Sequence, residues 1–438
     1  MTVFVVSLGC AKNLVETEIM AGALIAAGHG LTFDQREADV TLVNTCAFLP
    51  SARNEAFSAI REAIRWKKRK PGRRVAVAGC LIPRDRQHTF LTEFPEVDLW
   101  LGPNGVRDIA KALAGGEKLY GDGIPCFLQS GETPRLQLTA PHVAYLKITD
   151  GCNNRCAYCS IPLIRGDLRS RPLASCVKEA KNLLSFGTRE LVVIGQDVTA
   201  YGMDNQSGDS LAKLLKELDS FDGDYWVRLL YTHPAHYTDE LIATLKSAKH
   251  LVPYLDVPLQ HISDRILRAM GRKAGKAQTL ELLNKLRAEL PGAILRTTFI
   301  AGLPGETEAE FNELRDFVRE FEFDRVGVFE YAPEPGTPAA EMPDQVPTKV
   351  ASARAAELME VQRLISKAHN AALIGKTVTA VVDEAEGRQG FARGPMHAPD
   401  EDGGIHLKSS RKLREGEFYR VKITGSDDYD LAAEVLNQ

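Results

Sequence analysis

The sequence contains no long hydrophobic run. No stretch reaches the roughly 18 uninterrupted apolar residues that a membrane-spanning helix requires. The first residues, MTVFVVSLGCAKNLVETE, have no basic lead and only one short apolar run, so they do not resemble a secretory signal. The chain also shows no low-complexity tract and no convincing internal repeat. These absences argue against a membrane or secreted protein, and we expect a cytoplasmic location.

An excess of charge of one sign is missing as well. The 54 lysines and arginines against 58 aspartates and glutamates give a formal net charge of −4. This balance argues against a chain that coats nucleic acid by bulk charge. The hydrophobic fraction of 44% and the charged fraction of 26% are typical of an ordinary globular protein, and 438 residues suggest about three domains.

Cysteine is scarce, with eight residues in the chain. Because thiols stay reduced in the cytoplasm, we expect metal ligands, catalytic groups or buried residues rather than disulfides. Three of them, Cys152, Cys156 and Cys159, fall within the segment GCNNRCAYCS. No second cysteine pair follows at the spacing of a zinc ribbon, and no fourth nearby cysteine completes a ferredoxin-like motif. The remaining possible zinc donors are His142, His233 and His236.

Three thiolates on one loop suit a different kind of metal site. They can hold three irons of a four-iron cluster and leave the fourth iron open. An open iron can bind a small ligand through an amino group and a carboxylate. On this hypothesis the missing fourth ligand is a cofactor.

Residues 1–118 alternate short β-rich runs with segments of helical spacing, which predicts an N-terminal α/β domain with a parallel sheet. Three of the predicted strands end at cysteines, namely Cys10, Cys46 and Cys80. Because the carboxyl ends of parallel strands lie along one edge of a sheet, we expect these cysteines to converge on a shared ligand. The alternative is three separately buried cysteines.

Two further segments follow a Gly- and Pro-rich linker at 119–139. Residues 140–368 contain six predicted strands that alternate with helices, which indicates a partial (β/α)6 TIM-like barrel. The active site of such a barrel lies at the carboxyl ends of its strands. Residues 371–438 contain short strands separated by Gly and Asp, which predicts a small antiparallel β-barrel of the oligonucleotide-binding (OB-like) kind. The chain is therefore predicted to be a multidomain α/β protein.

The cysteine loop and its surroundings resemble a known family. CNNRCAYC, after the strand YLKIT, is similar to the signature loop of radical S-adenosylmethionine enzymes, which use a partial α/β barrel. Together with SLGCAKNLVETE, NTCAF and VAGCL, it makes the chain resemble the radical methylthiotransferases over essentially its full length. The resemblance implies a C-terminal TRAM domain and two 4Fe–4S clusters. The radical cluster would be bound by Cys152, Cys156 and Cys159, and the second cluster by Cys10, Cys46 and Cys80.

The resemblance also implies a chemistry. In this family the reduced radical cluster passes an electron to the sulfonium of S-adenosylmethionine, which releases methionine and a 5′-deoxyadenosyl radical. That radical takes a hydrogen from an unactivated carbon of the substrate. The second cluster delivers the methylthio group, whose methyl comes from another S-adenosylmethionine. An electron donor such as flavodoxin or ferredoxin is expected, and we expect a monomer.

Residues near the predicted strand ends are candidate cofactor contacts. Tyr158, inside the cysteine loop, is a candidate for packing against adenine. The other candidates are Gln196, Asp197, Arg228, Arg296 and Thr298, and each has the alternative of capping a helix or bridging strands. The arginines of IRGDLRSRP, which are Arg165, Arg169 and Arg171, either guide an anionic group or lie in a solvated loop. We assign no role to Cys126, and we expect Cys176 to be buried on a helix.

Two substrates dominate the family that the chain resembles. The segments NTCAFLPSARNEA, IPLIRG and LLYTHPAH resemble the branch that modifies the β-carbon of an aspartate in small-subunit ribosomal protein twelve. Residues 371–438 carry nine lysines and arginines against twelve aspartates and glutamates, and an acidic barrel suits a basic protein better than phosphates. The alternatives are the branch that modifies an adenosine in transfer RNA, and a non-enzymatic iron–sulfur or zinc protein that binds RNA through its terminal barrel.

Overall fold

The computed structural model describes residues 1–436. Its N-terminal domain contains the strands β1 (Thr2–Ser7), β2 (Gly30–Thr32), β3 (Val40–Thr45), β4 (Arg74–Gly79), β5 (Leu99–Leu101) and β6 (Leu119–Tyr120). They form one parallel sheet in the order β2-β1-β3-β4-β5-β6. All six residues of β3 are buried, as expected for a central strand that is covered on both faces. The predicted parallel sheet is confirmed, and β6 begins inside the predicted linker.

Five helices accompany this sheet: α1 (Ala11–Ala26), α2 (Pro50–Lys68), α3 (Leu81–Arg84), α4 (Phe90–Glu93) and α5 (Ile109–Gly115). α1 is largely buried because it contacts both its own sheet and the first strand of the central domain. Its buried residues include the polar side chains of Asn13 and Glu16. This burial places α1 at the junction between two domains.

The central domain is built on the parallel strands β7 (Val143–Lys147), β10 (Glu190–Ile194), β11 (Trp226–Leu229), β12 (Leu251–Asp256), β13 (Ile294–Ala301) and β14 (Arg325–Glu330), while β8 (Thr149–Asp150) and β9 (Arg169–Ser170) form a small separate ribbon. The sheet order is β14-β13-β12-β11-β10-β7, so β7 and β14 are its edges. Every neighbouring pair is parallel. The six predicted strands and the partial barrel are therefore confirmed.

Helices alternate with these strands, as a right-handed βαβ crossover requires. They are α6 (Ile161–Arg165), α7 (Leu173–Ser185), α8 (Leu211–Asp219), α9 (Asp239–Ser247), α10 (Asp264–Ala269), α11 (Lys276–Glu289), α12 (Glu308–Phe321) and α13 (Thr348–Ala371). α12 begins at a capping box, in which Thr307 and Glu310 satisfy each other's backbone amides. No helix among the described residues is both long and apolar enough to cross a membrane.

The C-terminal domain is a closed barrel of β15 (Thr377–Glu386), β16 (Gln389–Arg393), β17 (Ile405–Lys408), β18 (Phe418–Ser426) and β19 (Leu431–Val435). Four of its five strand pairs are antiparallel, as predicted, but β17 and β19 pair in parallel. In a closed barrel with an odd number of strands, the strand directions cannot alternate all the way round, so at least one neighbouring pair must be parallel. Here that pair is β17 and β19.

The three domains share a single buried apolar cluster. It includes Val15 of α1, Tyr145 of β7, Tyr254 of β12 and Ala398 of the loop between β16 and β17. That loop, residues 394–404, therefore lies against the inner face of the central sheet rather than in solvent. We call it the barrel loop.

Candidate active site

Three cysteines meet at the carboxyl edge of the N-terminal sheet, and we call them the N-terminal trio. Cys10 lies between β1 and α1, Cys46 directly follows β3, and Cys80 directly follows β4. The chain before Cys10 passes so close to Cys46 that only glycine fits: Gly9 has a φ of +88°, and a Cβ atom there would lie 2.5 Å from the Cβ of Cys46. The predicted alignment of the three cysteines at one edge is confirmed.

The N-terminal trio is only partly exposed to solvent. Cys46 and Cys80 are buried, whereas Cys10 is exposed. Burial raises the pKa of Cys46, and it raises the pKa of Cys80 to about 12 against the opposing charge of Arg165. Nη2 of Arg165 lies 3.1 Å from Sγ of Cys80. Since metal binding displaces a thiol proton, a bound metal and this guanidinium would together stabilise the thiolates.

The second group of cysteines, the loop trio, follows β8 at the carboxyl end of β7. It comprises Cys152, Cys156 and Cys159, whose loop is fixed by backbone hydrogen bonds. The amide of Ala157 donates to the carbonyl of Met270 at 2.8 Å, and the amide of Cys159 donates to that of Cys156 at 3.0 Å. Burial raises the pKa of Cys152, and it raises that of Cys159 to about 12.

The spacing of the sulfurs distinguishes a cluster from a single zinc ion. Zn–S bonds of about 2.3 Å place the sulfurs of a tetrahedral site about 3.8 Å apart. In the described part of the chain, only Asp197, His233 and His236 bring three ligand atoms all within 4.8 Å of one another. Both cysteine trios are therefore spaced too widely for one zinc ion, and the donor set of three thiols fits a four-iron cluster.

A buried network of charges joins the N-terminal domain to the segments on either side of the loop trio. Glu16 of α1 pairs with Lys147 of β7 at 3.0 Å, and its other oxygen accepts from Nη2 of Arg165 at 3.0 Å. Asp150 lies 3.5 Å from Lys147 and 3.6 Å from Arg169. Burial opposes ionisation of Glu16, but Arg165 and Lys147 outweigh it and hold its pKa below the usual range. Sequence reasoning missed Glu16 because a glutamate in a helix usually faces solvent.

Two of the predicted cofactor contacts lie beside the loop trio. Nε2 of Gln196 donates to Asp150 at 3.1 Å, while its buried Oε1 has no hydrogen-bond partner among residues 1–436. Asp197 accepts from Nδ2 of Asn154 at 2.7 Å and bonds Nδ1 of His236 at 2.8 Å. Burial opposes ionisation of Asp197, but the bond from His236 prevails and lowers its pKa. The unpartnered oxygen of Gln196 fits a cofactor that carries hydrogen-bond donors.

Tyr158 and Thr298 have less specific surroundings. Tyr158 packs against an apolar cluster that includes Met270 and Leu303. Burial and the neighbouring Cys156 raise the pKa of this phenol well above its ordinary value. Thr298 is buried within β13. Its cofactor role and that of Tyr158 stay predictions.

The barrel loop and its domain engage the two other predicted contacts. Nε of the fully buried Arg228 bonds Glu190 at 2.6 Å, and its Nη1 donates to the carbonyl of Pro395 at 2.9 Å. Nη2 of Arg296 pairs with Glu401 at 2.6 Å. Both guanidiniums thus hold the C-terminal domain against the central sheet, and this geometry supports the alternative that they bridge elements.

The arginines and the first histidine that sequence reasoning singled out are also engaged. Arg165 and Arg171 are buried, so the alternative of a solvated loop is wrong for them. Arg171 pairs with Glu179 on α7. His142, a possible zinc donor in the sequence, bonds Asp383 of β15 at 2.8 Å through Nε2 and joins two domains.

The two remaining cysteines lie outside both trios. Cys176 is fully buried within α7, as predicted, and burial raises its pKa to about 11. Cys126 is exposed, and its Sγ donates to Oδ1 of Asn104 at 3.2 Å.

Three models of known protein families match separate parts of the chain. Residues 146–318 match the Radical SAM superfamily, and residues 374–436 match the TRAM domain. Residues 2–102 match the uncharacterized protein family UPF0004. The N-terminal trio lies in the last of these regions, and the loop trio lies in the first.

Whole-chain relatives carry a more specific description. A ribosomal protein uS12 methylthiotransferase RimO from Pelotomaculum thermopropionicum is 43% identical over 438 residues, which is 98% of each chain. The protein of the same description from Carboxydothermus hydrogenoformans is 41% identical over 441 residues and covers 100% of both chains. The similarity therefore extends through all three domains.

Solved structures support the fold. The radical S-adenosylmethionine methyltransferase TsrM from Kitasatospora setae matches with a TM-score of 0.59 and 16% identity, covering 77% of this chain and 75% of that one. The cobalamin-dependent radical enzyme OxsB matches with a TM-score of 0.54 and 13% identity, covering 82% of this chain and 56% of that one. The predicted fold class and the predicted enzyme class are confirmed. The chain belongs to the RimO family of ribosomal protein uS12 methylthiotransferases.

Proposed function

We propose that this protein attaches a methylthio group to the β-carbon of an aspartate in ribosomal protein uS12, with S-adenosylmethionine and two 4Fe–4S clusters as cofactors. The observation that carries the proposal is the pair of three-cysteine sites, joined by the hydrogen bond from Arg165 to Cys80. Two separate trios on adjacent sheet edges suit a reaction in which one site generates a radical and the other supplies sulfur.

Each trio has its own part in this proposal. Bound at these sites, S-adenosylmethionine and the clusters would supply one-electron chemistry and the methylthio group. The loop trio would hold the radical cluster and leave one iron open for the cofactor. The N-terminal trio would hold the second cluster. Gln196 would orient the cofactor, because its buried Oε1 is an acceptor without a donor among residues 1–436.

The protein's own residues fix the distance between the two sites. Arg165 ends the helix that follows the loop trio, and it contacts both Cys80 and Glu16 in the N-terminal domain. These groups are buried, so bulk water is excluded from the wall between the sites. A rigid separation of this kind keeps the reacting carbon within reach of both sites.

The partners follow from the proposed reaction. The substrate is uS12, a ribosomal protein, and we propose that the reaction takes place in the cytoplasm. Reduction of the radical cluster requires an electron donor, for which flavodoxin or ferredoxin is the proposed class. We also propose that the enzyme acts as a monomer, because each trio is formed by a single chain.

Mass spectrometry tests the substrate. Ribosomal protein uS12 and bulk transfer RNA would be isolated from a strain that lacks the gene and from the same strain complemented with it. The proposal predicts that uS12 loses the mass of one methylthio group without the gene and regains it on complementation. If only transfer RNA loses a methylthio group, the alternative branch of the family is correct and the proposal is wrong.

A further inference from the structure

We propose that Lys12 and Arg296 form the subsite that receives the carboxylate of the target aspartate, and that Glu401 of the barrel loop lies in this subsite in the free enzyme. This inference rests on the proposed function and names the residues that would recognise its substrate. It is drawn from three groups. They are the ammonium of Lys12, which has no ion-pair partner among residues 1–436, the guanidinium of Arg296, which pairs with two carboxylates, and the partly exposed carboxylate of Glu401.

The unpaired cation is Lys12, in the first turn of α1. Its Nζ lies 3.2 Å from the centroid of the Tyr231 ring. Within residues 1–436, no carboxylate oxygen lies within 4.0 Å of that nitrogen, and no hydrogen bond reaches it. The face of an aromatic ring attracts a cation without neutralising it, so a protonated Lys12 over this ring can still pair with an anion. Cys10 of the N-terminal trio is two residues away in the sequence.

The shared guanidinium is that of Arg296 on β13. Its Nη1 pairs with Asp256 at 2.8 Å, and its Nη2 pairs with Glu401 at 2.6 Å. The amide of Tyr231 donates to Asp256 at 2.8 Å, and the hydroxyl of Tyr231 lies 3.4 Å from Glu401. Tyr231 therefore contacts Lys12 through its ring and Glu401 through its hydroxyl, and Glu401 in turn pairs with Arg296.

Glu401 differs from its neighbours in the barrel loop. Asp402 is buried and accepts from the hydroxyl of Tyr254 at 2.7 Å, and the hydroxyl of Tyr145 donates to Asp400 at 2.9 Å. These contacts fix the loop on both sides of Glu401. The side chain of Glu401 itself is 32% exposed, so another carboxylate can replace it without moving the loop.

Charge balance favours this exchange. Lys12 and Arg296 carry two positive charges, and the facing carboxylates of Asp256 and Glu401 carry two negative charges. A substrate carboxylate that displaced Glu401 from Arg296 would restore the same balance and gain the unpaired Lys12. An adenine base carries no negative charge, so the subsite would favour the side chain of an aspartate over that base.

The position of the subsite suits the reaction. The β-carbon of an aspartate is bonded directly to its carboxyl carbon. A carboxylate bound in this subsite would therefore hold the β-carbon near the N-terminal trio. Lys12 lies at the start of α1, two residues after Cys10, which places the subsite beside the N-terminal trio. Glu401 of the barrel loop would therefore occupy the position of the substrate carboxylate between catalytic cycles.

A double-mutant cycle tests the subsite. Binding of purified uS12 to the reconstituted holoenzyme would be measured anaerobically by calorimetry, with wild-type uS12 and with its target aspartate changed to asparagine. We expect the asparagine to weaken binding to the wild-type enzyme about tenfold, and Lys12→Met to weaken binding of wild-type uS12 by a similar factor. When Lys12→Met enzyme is combined with the asparagine variant of uS12, the affinity should be about tenfold lower than for the wild-type pair. The two losses of affinity should not multiply.

Changes at Glu401 provide the second arm. Glu401→Gln removes the competing charge, so we expect uS12 to bind about threefold more tightly or better. Glu415→Gln, which removes a charge from an exposed part of the same domain, should leave affinity unchanged. Losses that multiply in the cycle, or weaker binding by Glu401→Gln, would overturn the proposal.

The outcome separates this inference from the proposed function. If the wild-type enzyme methylthiolates uS12 but the two changes act independently, the subsite is wrong and the function stands. If the wild-type enzyme leaves uS12 unmodified in the mass spectrum, the proposed function itself fails. Lys12→Arg serves as the conservative variant, and it should recover most of the binding that Lys12→Met loses.

Discussion

Arg165 of the central domain donates a hydrogen bond of 3.1 Å to Sγ of Cys80 in the N-terminal domain. The same guanidinium pairs with Glu16, so one side chain contacts a cysteine of the N-terminal trio and a buried carboxylate. Hydrogen bonds to cysteine sulfur are among the factors that set the reduction potential of a cluster. This arrangement connects the N-terminal trio to the helix that follows the loop trio.

Arg165→Met should destabilise the protein by about 3 kcal/mol, because it leaves the buried carboxylate of Glu16 with a single cation. The change would be measured as the free energy of unfolding in urea. Lys178→Met is the control: Lys178 pairs with Glu132 on the surface at 2.5 Å, and its loss should cost less than about 1 kcal/mol.

A second change distinguishes charge pairing from simple packing at this position. Arg165→Met combined with Glu16→Gln removes both charges, so part of the lost stability should return. Equal losses in the single and double variants would show that Glu16 is not the reason for the effect.

Gly9→Ala should disrupt the N-terminal metal site. The added Cβ would lie 2.5 Å from the Cβ of Cys46, in a backbone conformation that favours glycine. We expect the reconstituted protein to bind about half as much iron as the wild type, as measured by iron analysis.

The matched control for this prediction is Gly28→Ala. Gly28 has a similar φ of +81°, but no atom lies within 4 Å of the position of a new Cβ. It should lose about 1 kcal/mol of stability and no iron. If both variants keep all their iron, the close approach of Gly9 to Cys46 is not required for the site.

Acid should weaken the protein through His233. Burial, followed by the charge of Arg272, lowers the pKa of this imidazole to about 3. The ordinary pKa of about 6.5 in the unfolded chain is higher, so the stabilising effect of the neutral ring is present above about pH 6.5. It is lost progressively as the pH falls from there towards 3.

His233→Gln removes this titration while keeping an acceptor for the amide of Ala235. The difference in unfolding free energy between wild type and variant should shrink as the pH falls from about 7 to about 5, by at most about 1.4 kcal/mol per unit. A difference that does not change with pH would contradict the buried, neutral state of His233.

The placement of the six cysteines of the two trios could be predicted from the sequence because its signals are local. Cys10, Cys46 and Cys80 each stand at the end of an apolar run, and parallel topology alone aligns such positions. The loop trio can be recognised from the spacing of its three cysteines in the sequence. The short strands β2, β5 and β6 were missed, because two or three residues are too few to show a period.

The contacts between domains could not be predicted. Glu16 and Lys147 are 131 residues apart, and Arg228 and Pro395 are 167 apart. The spacing of hydrophobic residues indicates which face of a helix or strand is buried. It does not indicate which charged residue, distant in the sequence, pairs with a charge on that face. For the same reason Arg228 and Arg296 were predicted as cofactor contacts, whereas their observed partners lie on neighbouring strands and on the barrel loop.

The central claim is that the two cysteine trios hold separate clusters and that S-adenosylmethionine binds the cluster of the loop trio. Iron analysis and low-temperature electron paramagnetic resonance of two anaerobically reconstituted triple variants test it most directly. One variant carries alanine at Cys10, Cys46 and Cys80; the other carries alanine at Cys152, Cys156 and Cys159. Each should retain about four of about eight irons, and Cys126→Ser should retain all of them.

S-adenosylmethionine should change the spectrum of the first variant, which keeps the loop trio, and leave that of the second unchanged. The account would be contradicted if the reduced cluster of the loop trio did not respond to the cofactor, or if removing one trio emptied both sites.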